Sequence, residues 1–388
     1  MALAVVRSRF TGFFAKQETT QGTDVIAASP SASDWVGGSL TWRPVMQTID
    51  DPGTTMTLDL STPIIGGQRA EITLSVPLRG SGTAGTAPAW GKILEACTML
   101  ELITAAEVGG PTNATAGTVN TVTAAAPFGI TAQQYRGMPL LLSGDQIDNT
   151  SVINYTTGRV ITIPDTRTAM TTATALQIPI NVLYSPTSVD ANQQTLTIYH
   201  YVDGNLFIFT GCAGTWGLQA TAGGTAYLTF TLMGRLVTPV TQVAVPVALM
   251  PSIAAVPPLW VGGRSQYQGG LARSNSFTLT ANVSTIMPDN PEEDQGYDPA
   301  MPITRAAGGT MSPLMDTTVD TQRFAAYTAG TRIPLMAAIG NTAGNRFVIS
   351  IPTAVITQMT PVDRGGLQAW DVSFVTDGPD AGFFIASY

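Results

Sequence analysis

The chain has 388 residues and a formal net charge of −8, and only 11% of its residues are charged, against about 25% in ordinary globular proteins. It contains two lysines, Lys16 and Lys92, and no run of basic residues, which argues against tight binding of a nucleic-acid backbone. No apolar stretch approaches the length of a membrane span and no signal-peptide pattern is present, so we expect a soluble cytoplasmic protein.

Threonine, glycine and proline are abundant, with 56, 39 and 26 residues. β-Branched residues and turn formers in these numbers predict many short strands joined by turns. A surface so poor in charge indicates that neighbouring subunits cover much of it, because an isolated soluble protein needs more charge for solubility. The composition therefore favours a mainly β protein that functions in an assembly.

The first predicted elements are strands followed by a helix. Residues 37–53 read as a strand that runs into an acidic, proline-containing loop. Residues 71–79 alternate apolar and polar side chains, which predicts a half-exposed strand of an antiparallel sheet. A glycine-rich connection then leads into a predicted helix over residues 88–101.

The connection contains Gly80, Gly82 and Gly85, spaced as in the G-x-G-x-x-G pattern of dinucleotide-binding proteins. A Rossmann strand is buried on both faces and reads as a continuous apolar run, whereas the strand before these glycines alternates. Pro88 and Trp90 also stand between the glycines and the helix. We therefore interpret the segment as a connector that folds a short helix back onto a sheet, and predict no cofactor.

The next segments read as an inserted β module, a hairpin and a linker. Residues 110–190 contain short apolar runs separated by turns, which predicts a small module outside the main body. Strands 195–202 and 205–210 flank Asp203-Gly204, a strong two-residue hairpin signal, and another strand covers 226–232. Five prolines make residues 238–272 an extended linker.

The remainder of the chain repeats the plan of the first part. Residues 275–291 repeat the plan of residues 37–53, with Ser39 falling on Ser276 at an offset of 237, and residues 69–78 fall on 305–314 at an offset of 236. A short helix at 321–327, a hairpin of strands 332–339 and 345–351, and a strand at 369–375 follow in the same order. The repeat predicts four regions: a discontinuous first domain (1–109 and 191–237), the inserted module (110–190), a linker (238–272) and a second domain (273–388).

Three segments resemble the tail tube (major tail) proteins of long-tailed bacteriophages. They are residues 14–24 (FAKQETTQGTD), residues 79–91 (RGSGTAGTAPAWG) and residues 344–348 (GNRFV). The resemblance implies β-sandwich-like tube domains, each with a flanking helix, whose sheets join those of neighbours into a continuous barrel. It also implies stacked rings that form the conduit for DNA ejection, a place in the virion tail after synthesis in the host cytoplasm, and tape measure and tail terminator proteins as partners.

The doubled tube domain changes the ring that this resemblance implies. Two domains per chain predict a trimeric, pseudo-hexameric ring, in which three chains fill six positions. We expect DNA to pass through the lumen without specific binding, because an acidic lumen would repel its backbone. Two equivalent acidic loops, residues 50–63 and 289–301, are predicted to contact an adjacent ring or subunit and to order on assembly.

Candidate catalytic and metal-binding residues have simpler structural interpretations. His200, the only histidine, lies in an alternating strand with no nucleophile motif nearby. The acidic run 289–298 lacks the spacing of an EF-hand, and Cys97 and Cys212 match no disulfide framework or metal motif. The six tryptophans are expected in core or interface packing (Trp35, Trp42, Trp90, Trp216, Trp260 and Trp370). We therefore predict no enzyme, and no catalytic, cofactor-binding or metal-binding residue.

Two functions remain open at this point. The first is a structural tail tube subunit. The alternative is a carbohydrate-binding or adhesin-like β protein, which the inserted module and the many threonines and tryptophans would suit.

Overall fold

The structure is a computed structural model that describes residues 6–26, 29–50, 53, 62–166, 168–250, 255–268 and 270–388. Strands dominate, which confirms the expectation of a mainly β protein. The first elements are β1 (Thr11–Gln17), β2 (Ser39–Ile49), β3 (Ile64–Pro77), α1 (Gly91–Glu95) and β4 (Met99–Thr104).

Short strands follow in the region of the predicted module. They are β5 (Val108–Asn113), β6 (Ala116–Gly117), β7 (Thr121–Thr123), β8 (Pro139–Ser143), β9 (Asp148–Ser151), β10 (Asn154–Tyr155), β11 (Val160–Thr162) and β12 (Ala175–Ile178). Together they form two four-stranded sheets with their own apolar core. We call residues 108–178 the module.

The next strands return to the main body and include the longest ones. They are β13 (Asn181–Pro186), β14 (Leu196–Val202), β15 (Asn205–Thr221), β16 (Tyr227–Gln242), β17 (Ser265–Tyr267), β18 (Ser274–Thr280), β19 (Val283–Ile286), β20 (Met301–Arg305) and β21 (Gly308–Pro313). The last elements are α2 (Asp320–Ala329), β22 (Ile333–Ile339), β23 (Phe347–Arg364), β24 (Leu367–Thr376) and β25 (Phe384–Ser387).

One large antiparallel sheet organises the main body. Its path runs β2-β3-β16-β15-β18-β21-β24-β23-β25-β13-β4, with β1, β14, β17 and β22 attached beside it. Alternation fixes which face is buried: in β3, Ile72 and Leu74 are buried, whereas Thr73 between them is exposed. The buried face packs into a core shared by β3, β16, β15, β18 and β24.

Two sets of six strands have the same pairing order. In the first set β1 pairs with β14, and the order continues through β15, β16 and β3 to β2. In the second set β17 pairs with β22, and the order continues through β23, β24 and β21 to β18. In chain order, a helix lies between the third and the fourth strand of each set: α1 between β3 and β14, and α2 between β21 and β22. The two sets meet where β15 pairs with β18.

The helix predicted over residues 88–101 is much shorter in the structure. α1 ends at Glu95, and Met99–Thr104 forms β4, which pairs with β13. Thr98 has a φ of 64° and so turns the chain out of the helix, and Arg305 donates hydrogen bonds to its Oγ1 and carbonyl oxygen. Strand pairing with a distant segment therefore overrides the helical preference of Met, Leu and Glu in this stretch.

Two predicted boundaries also shift. β13 lies in the main sheet, so the separate sheets of the module end before residue 181, whereas the sequence placed the boundary at 190. β16 extends to Gln242, and β17 forms at Ser265–Tyr267, so two parts of the predicted linker (238–272) belong to strands. Among the described residues, no helix is long and apolar enough to cross a membrane.

Candidate assembly surfaces

The main sheet has unpaired strand edges. Within the described part of the chain, β2 pairs only with β3. Residues 355–364 of β23 likewise pair only with β24 there, because β22 and β25 pair with the earlier part of that strand. The N–H and C=O groups of an unpaired edge are a template for another strand. Both edges are therefore candidate contacts with a neighbouring chain.

The outward face of the sheet carries rows of hydroxyl side chains. Thr41, Thr73, Thr231 and Thr215 are directly opposite one another on four successive strands. A second row lies in the second strand set, where Thr278 is opposite Thr310 and Thr310 is opposite Ser373. Most of these side chains are exposed or half-buried because the opposite face of the same strands forms the core. We call this surface the hydroxyl face.

Charge is sparse on the hydroxyl face. Arg43 forms an ion pair with Glu71 (2.5 Å from Nη2 to Oε2), and Ser312 donates a hydrogen bond to Asp371. Neither lysine lies on these strands. The described part of this face is therefore hydroxyl-rich and carries few charged side chains.

Two hairpin ends carry exposed apolar side chains. Ile49 and Ile64 lie opposite each other where β2 and β3 end. Ile286 and Met301 occupy the matching place in the β19–β20 hairpin, and all four side chains are between 45% and 55% exposed. Apolar groups at projecting ends are typical of contacts with another protein surface.

The loop at residues 289–301 makes contacts within the chain, and its ordering on assembly stays a prediction. It lies against the first strand set: Ala300 N–H donates to Gly211 O (2.9 Å), and Glu293 Oε2 pairs with the buried Arg235 guanidinium (2.6 Å). Tyr297 is buried below the Arg69 guanidinium. The equivalent loop, residues 50–63, lies almost wholly outside the described residues.

His200 lies in β14 and is buried. Its Nε2 is 2.9 Å from Thr11 Oγ1, and its Nδ1 has no hydrogen-bond partner among the described residues. Burial lowers the pKa of His200 to about 4, so the ring is neutral at physiological pH. This environment is that of a packed strand residue.

The glycine motif packs against the second half of the chain. Gly80 N–H donates to Asn345 Oδ1 (2.8 Å), and Gly82 N–H donates to Gly344 O (3.2 Å). A Cβ on Gly80 would lie 1.9 Å from Gly344 O, so this close backbone contact requires glycine. α1 follows with only five residues. The glycines therefore allow close contact between two turns, one at Gly80 and Gly82 and the other at Gly344 and Asn345.

The other candidate residues take part in packing or local hydrogen bonds. Cys97 and Cys212 are fully buried free thiols, and burial raises the pKa of both. In the acidic run, Asn290 donates to Asp298 Oδ1 (2.7 Å), and the described residues contain no cluster of three or more His, Cys, Asp or Glu that could hold a metal. Trp90 and Trp216 lie in the main core.

Sequence reasoning missed two buried charged residues that join distant segments. The Glu18 carboxylate accepts hydrogen bonds from Thr195 Oγ1 (2.6 Å), Thr197 Oγ1 (2.9 Å) and Gly211 N–H (2.8 Å). The fully buried Arg323 of α2 donates to Tyr267 O (3.2 Å) beside β17.

A mainly β chain with open strand edges, a hydroxyl face and apolar hairpin ends has the features of a structural assembly protein. The family model for phage tail tube protein matches residues 11–375, nearly the whole chain. Comparison with curated proteins found no match. The chain belongs to the phage tail tube family, so it is a structural component of a phage tail and not an enzyme.

Proposed function

We propose that this chain assembles into rings that stack into the tail tube, through which DNA leaves the capsid. The observation that carries the proposal is the run of eight strands from β2 to β23. Among the described residues, β2 and residues 355–364 of β23 form its unpaired edges, and one face lies outside the core. A sheet with its other face in the core closes into a tube only with the hydroxyl face toward the lumen. Closure also removes both exposed edges.

The proposed ring contains three chains. Each chain would contribute two tube domains, expected at residues 1–109 with 191–237 and at residues 273–388. The shared pairing order of the two strand sets supports two such domains, with β16 reaching Gln242 and β17 adding residues 265–267 to the second. Three chains would then occupy six pseudo-equivalent positions. A contact that joins different edges of identical subunits forms a closed ring when the rotation from one subunit to the next is a whole fraction of a full turn.

The proposed lumen would let DNA pass without binding it. Threonine and serine hydroxyls do not form ion pairs with phosphates, and the hydroxyl face lacks the lysine clusters that hold a nucleic-acid backbone. The apolar hairpin ends at Ile49, Ile64, Ile286 and Met301 are the proposed contacts between stacked rings. Tape measure and tail terminator proteins are the proposed partners inside and at the end of the tube, which is assembled from chains made in the host cytoplasm.

Family membership favours this function over the carbohydrate-binding or adhesin-like alternative. Cryo-electron microscopy of assembled tubes tests the proposal, with native mass measurement of released rings. We expect hollow tubes with threefold symmetry and three chains per ring. Six chains in equivalent positions would contradict the trimeric ring, and dispersed monomers that bind glycans would contradict the tube.

A further inference from the structure

We infer that the ring closes by one defined strand pairing: residues 360–364 of β23 in one chain pair antiparallel with residues 39–43 of β2 in a second copy. The inference rests on the proposed ring and adds the edges and the register. The joint between the two strand sets inside the chain serves as the template.

The internal joint pairs residues 217–221 of β15 with residues 276–280 of β18. Gly217 lies opposite Thr280, Gln219 opposite Thr278, and Thr221 opposite Ser276. If the two strand sets are equivalent, the same joint must recur between chains. It would connect the counterpart of β15, which is β23, to the counterpart of β18, which is β2.

The sequence offset of 237 and the registers of strand pairing together define which residues correspond. Leu40 lies opposite Leu74 as Phe277 lies opposite Met311, so β2 residues map onto β18 residues 237 positions later. The remaining strands follow from their pairing with these two: Leu74 corresponds to Met311, Phe230 to Val372, and Trp216 to Met359. Residues 217–221 therefore correspond to 360–364, and residues 276–280 to 39–43. The mapping places Val362 opposite Thr41 and Arg364 opposite Ser39.

The side chains at the internal β15–β18 joint are more buried than their counterparts on the free edges of β2 and β23, as expected if each free edge lacks its partner strand in the single chain. At the internal joint Phe277 and Leu279 are fully buried. Their counterparts Leu40 and Trp42 pack on the same core but are only half-buried. On the other side of the joint, Ala220 is fully buried, whereas its counterpart Asp363 is exposed. A second copy would cover these side chains.

The free edges also carry residues that hinder unselective pairing, and the internal joint lacks them. Pro44 stands where Ala281 donates its N–H to Trp216 O (3.0 Å), and Pro361 stands where β15 has Leu218. Proline and an inward-pointing charge such as Asp363 protect strand edges in free subunits. Pro44 ends the inter-chain ladder and Pro361 removes one hydrogen bond within it, so the joint forms between correctly placed copies and not between any two edges.

Cysteine pairs test the register. The flanking hydrogen bonds of the internal joint make 217/280, 219/278 and 221/276 the non-hydrogen-bonded pairs, in which opposed side chains approach most closely. The variant with Thr41→Cys and Val362→Cys, assembled under reducing conditions and then oxidised, should form inter-chain disulfides. The matched control is Thr41→Cys with Thr357→Cys, which keeps one cysteine and displaces the other along β23. We expect about tenfold less cross-linking in the control, because disulfides require Cβ atoms about 4 Å apart.

The native thiols Cys97 and Cys212 are buried and do not compete. If the first variant does not assemble, Ser39→Cys with Arg364→Cys tests the same register at the next non-hydrogen-bonded pair. Tubes with equal cross-linking in test and control variants, or with none in either test pair, would overturn the register and leave the tube function standing. Wild-type chains that form no rings or tubes would instead contradict the proposed function itself.

Discussion

Glu95, at the end of α1, is a carboxyl group that the fold partly removes from water. Burial raises the pKa of Glu95 to about 7, and the nearby Glu101 adds to the shift, while Gln17 donates a hydrogen bond that opposes it. Glu101 in turn accepts a hydrogen bond from the buried Tyr184 hydroxyl (2.7 Å). The fold therefore favours the neutral form of Glu95.

The sign of the resulting pH dependence follows from that shift. Because the pKa is higher in the folded chain than in the unfolded one, the contribution of Glu95 to stability is complete below about pH 4.5 and is lost as pH rises through 7. We expect Glu95→Gln to raise the free energy of unfolding at pH 8 by about 1 kcal/mol, after allowance for partial solvent exposure. At pH 4.5 the variant should match the wild type.

Denaturant unfolding of unassembled subunits at the two pH values measures this difference. Glu292→Gln is the matched control, because Glu292 is exposed on the loop at residues 289–301. A gain of equal size at both pH values would mean that the amide acts through packing, and Glu95 would then have no part in the pH dependence.

At the scale of elements, local patterns predicted strands well and missed the contacts between distant strands. The hairpin strand predicted at 195–202 is Leu196–Val202, and the strand predicted at 332–339 is Ile333–Ile339. The sequence pattern places the end of the first hairpin's second strand, β15, at residue 210. The strand continues to Thr221 across a register shift after Thr210. The β15–β18 pairing has no local signal at all, since the two strands meet only in the folded chain.

The structure shows where the module can be cut out of the chain and how the two ends can be rejoined. β4 and β13 are antiparallel neighbours, and Thr104 lies opposite Asn181, so the two ends of the intervening segment are already adjacent. Replacing residues 105–180 with Asn-Gly, which favours a two-residue hairpin turn, should close the β4–β13 hairpin. The deletion would expose Phe384, which packs in the module core, so the variant also needs Phe384→Thr.

We expect this deletion variant to fold and to assemble into tubes of unchanged inner diameter, because no strand of the eight-strand run belongs to the module. Circular dichroism and negative-stain microscopy of the same preparation measure the two properties. The control is Phe384→Thr in the full chain, which separates the effect of that substitution. A folded variant without tubes would show that the module takes part in ring contacts.

At the scale of the whole molecule, the sequence resemblance to tail tube proteins is confirmed by the family match over residues 11–375. The chemistry of the proposed lumen was harder to predict from the sequence. Net charge describes the whole chain and does not say which residues share one face. The threonines of the hydroxyl face come from strands far apart in sequence, so their rows exist only once the pairing of β2, β3, β16 and β15 is known.

A lysine on the hydroxyl face should slow DNA ejection. Thr231 is exposed in the row that joins β2 to β15, and every ring would present three copies of a substituted side chain to the DNA. We expect virions with Thr231→Lys to contain normal tubes and to eject DNA about tenfold more slowly at low salt. Each lysine that contacts a phosphate displaces counterions from the DNA, and the resulting attraction must be broken before the DNA advances. Added salt should restore the rate, since screening weakens this attraction.

Two control variants separate charge from size and from place. Thr231→Gln has a longer uncharged side chain at the same position, and Thr172→Lys places the charge on an exposed part of the module. Both should eject DNA at the wild-type rate in a fluorescence assay of DNA release from purified virions. Slow ejection by Thr231→Gln would indicate steric obstruction. Wild-type ejection by Thr231→Lys in intact tubes would mean that the hydroxyl face does not line the path of the DNA.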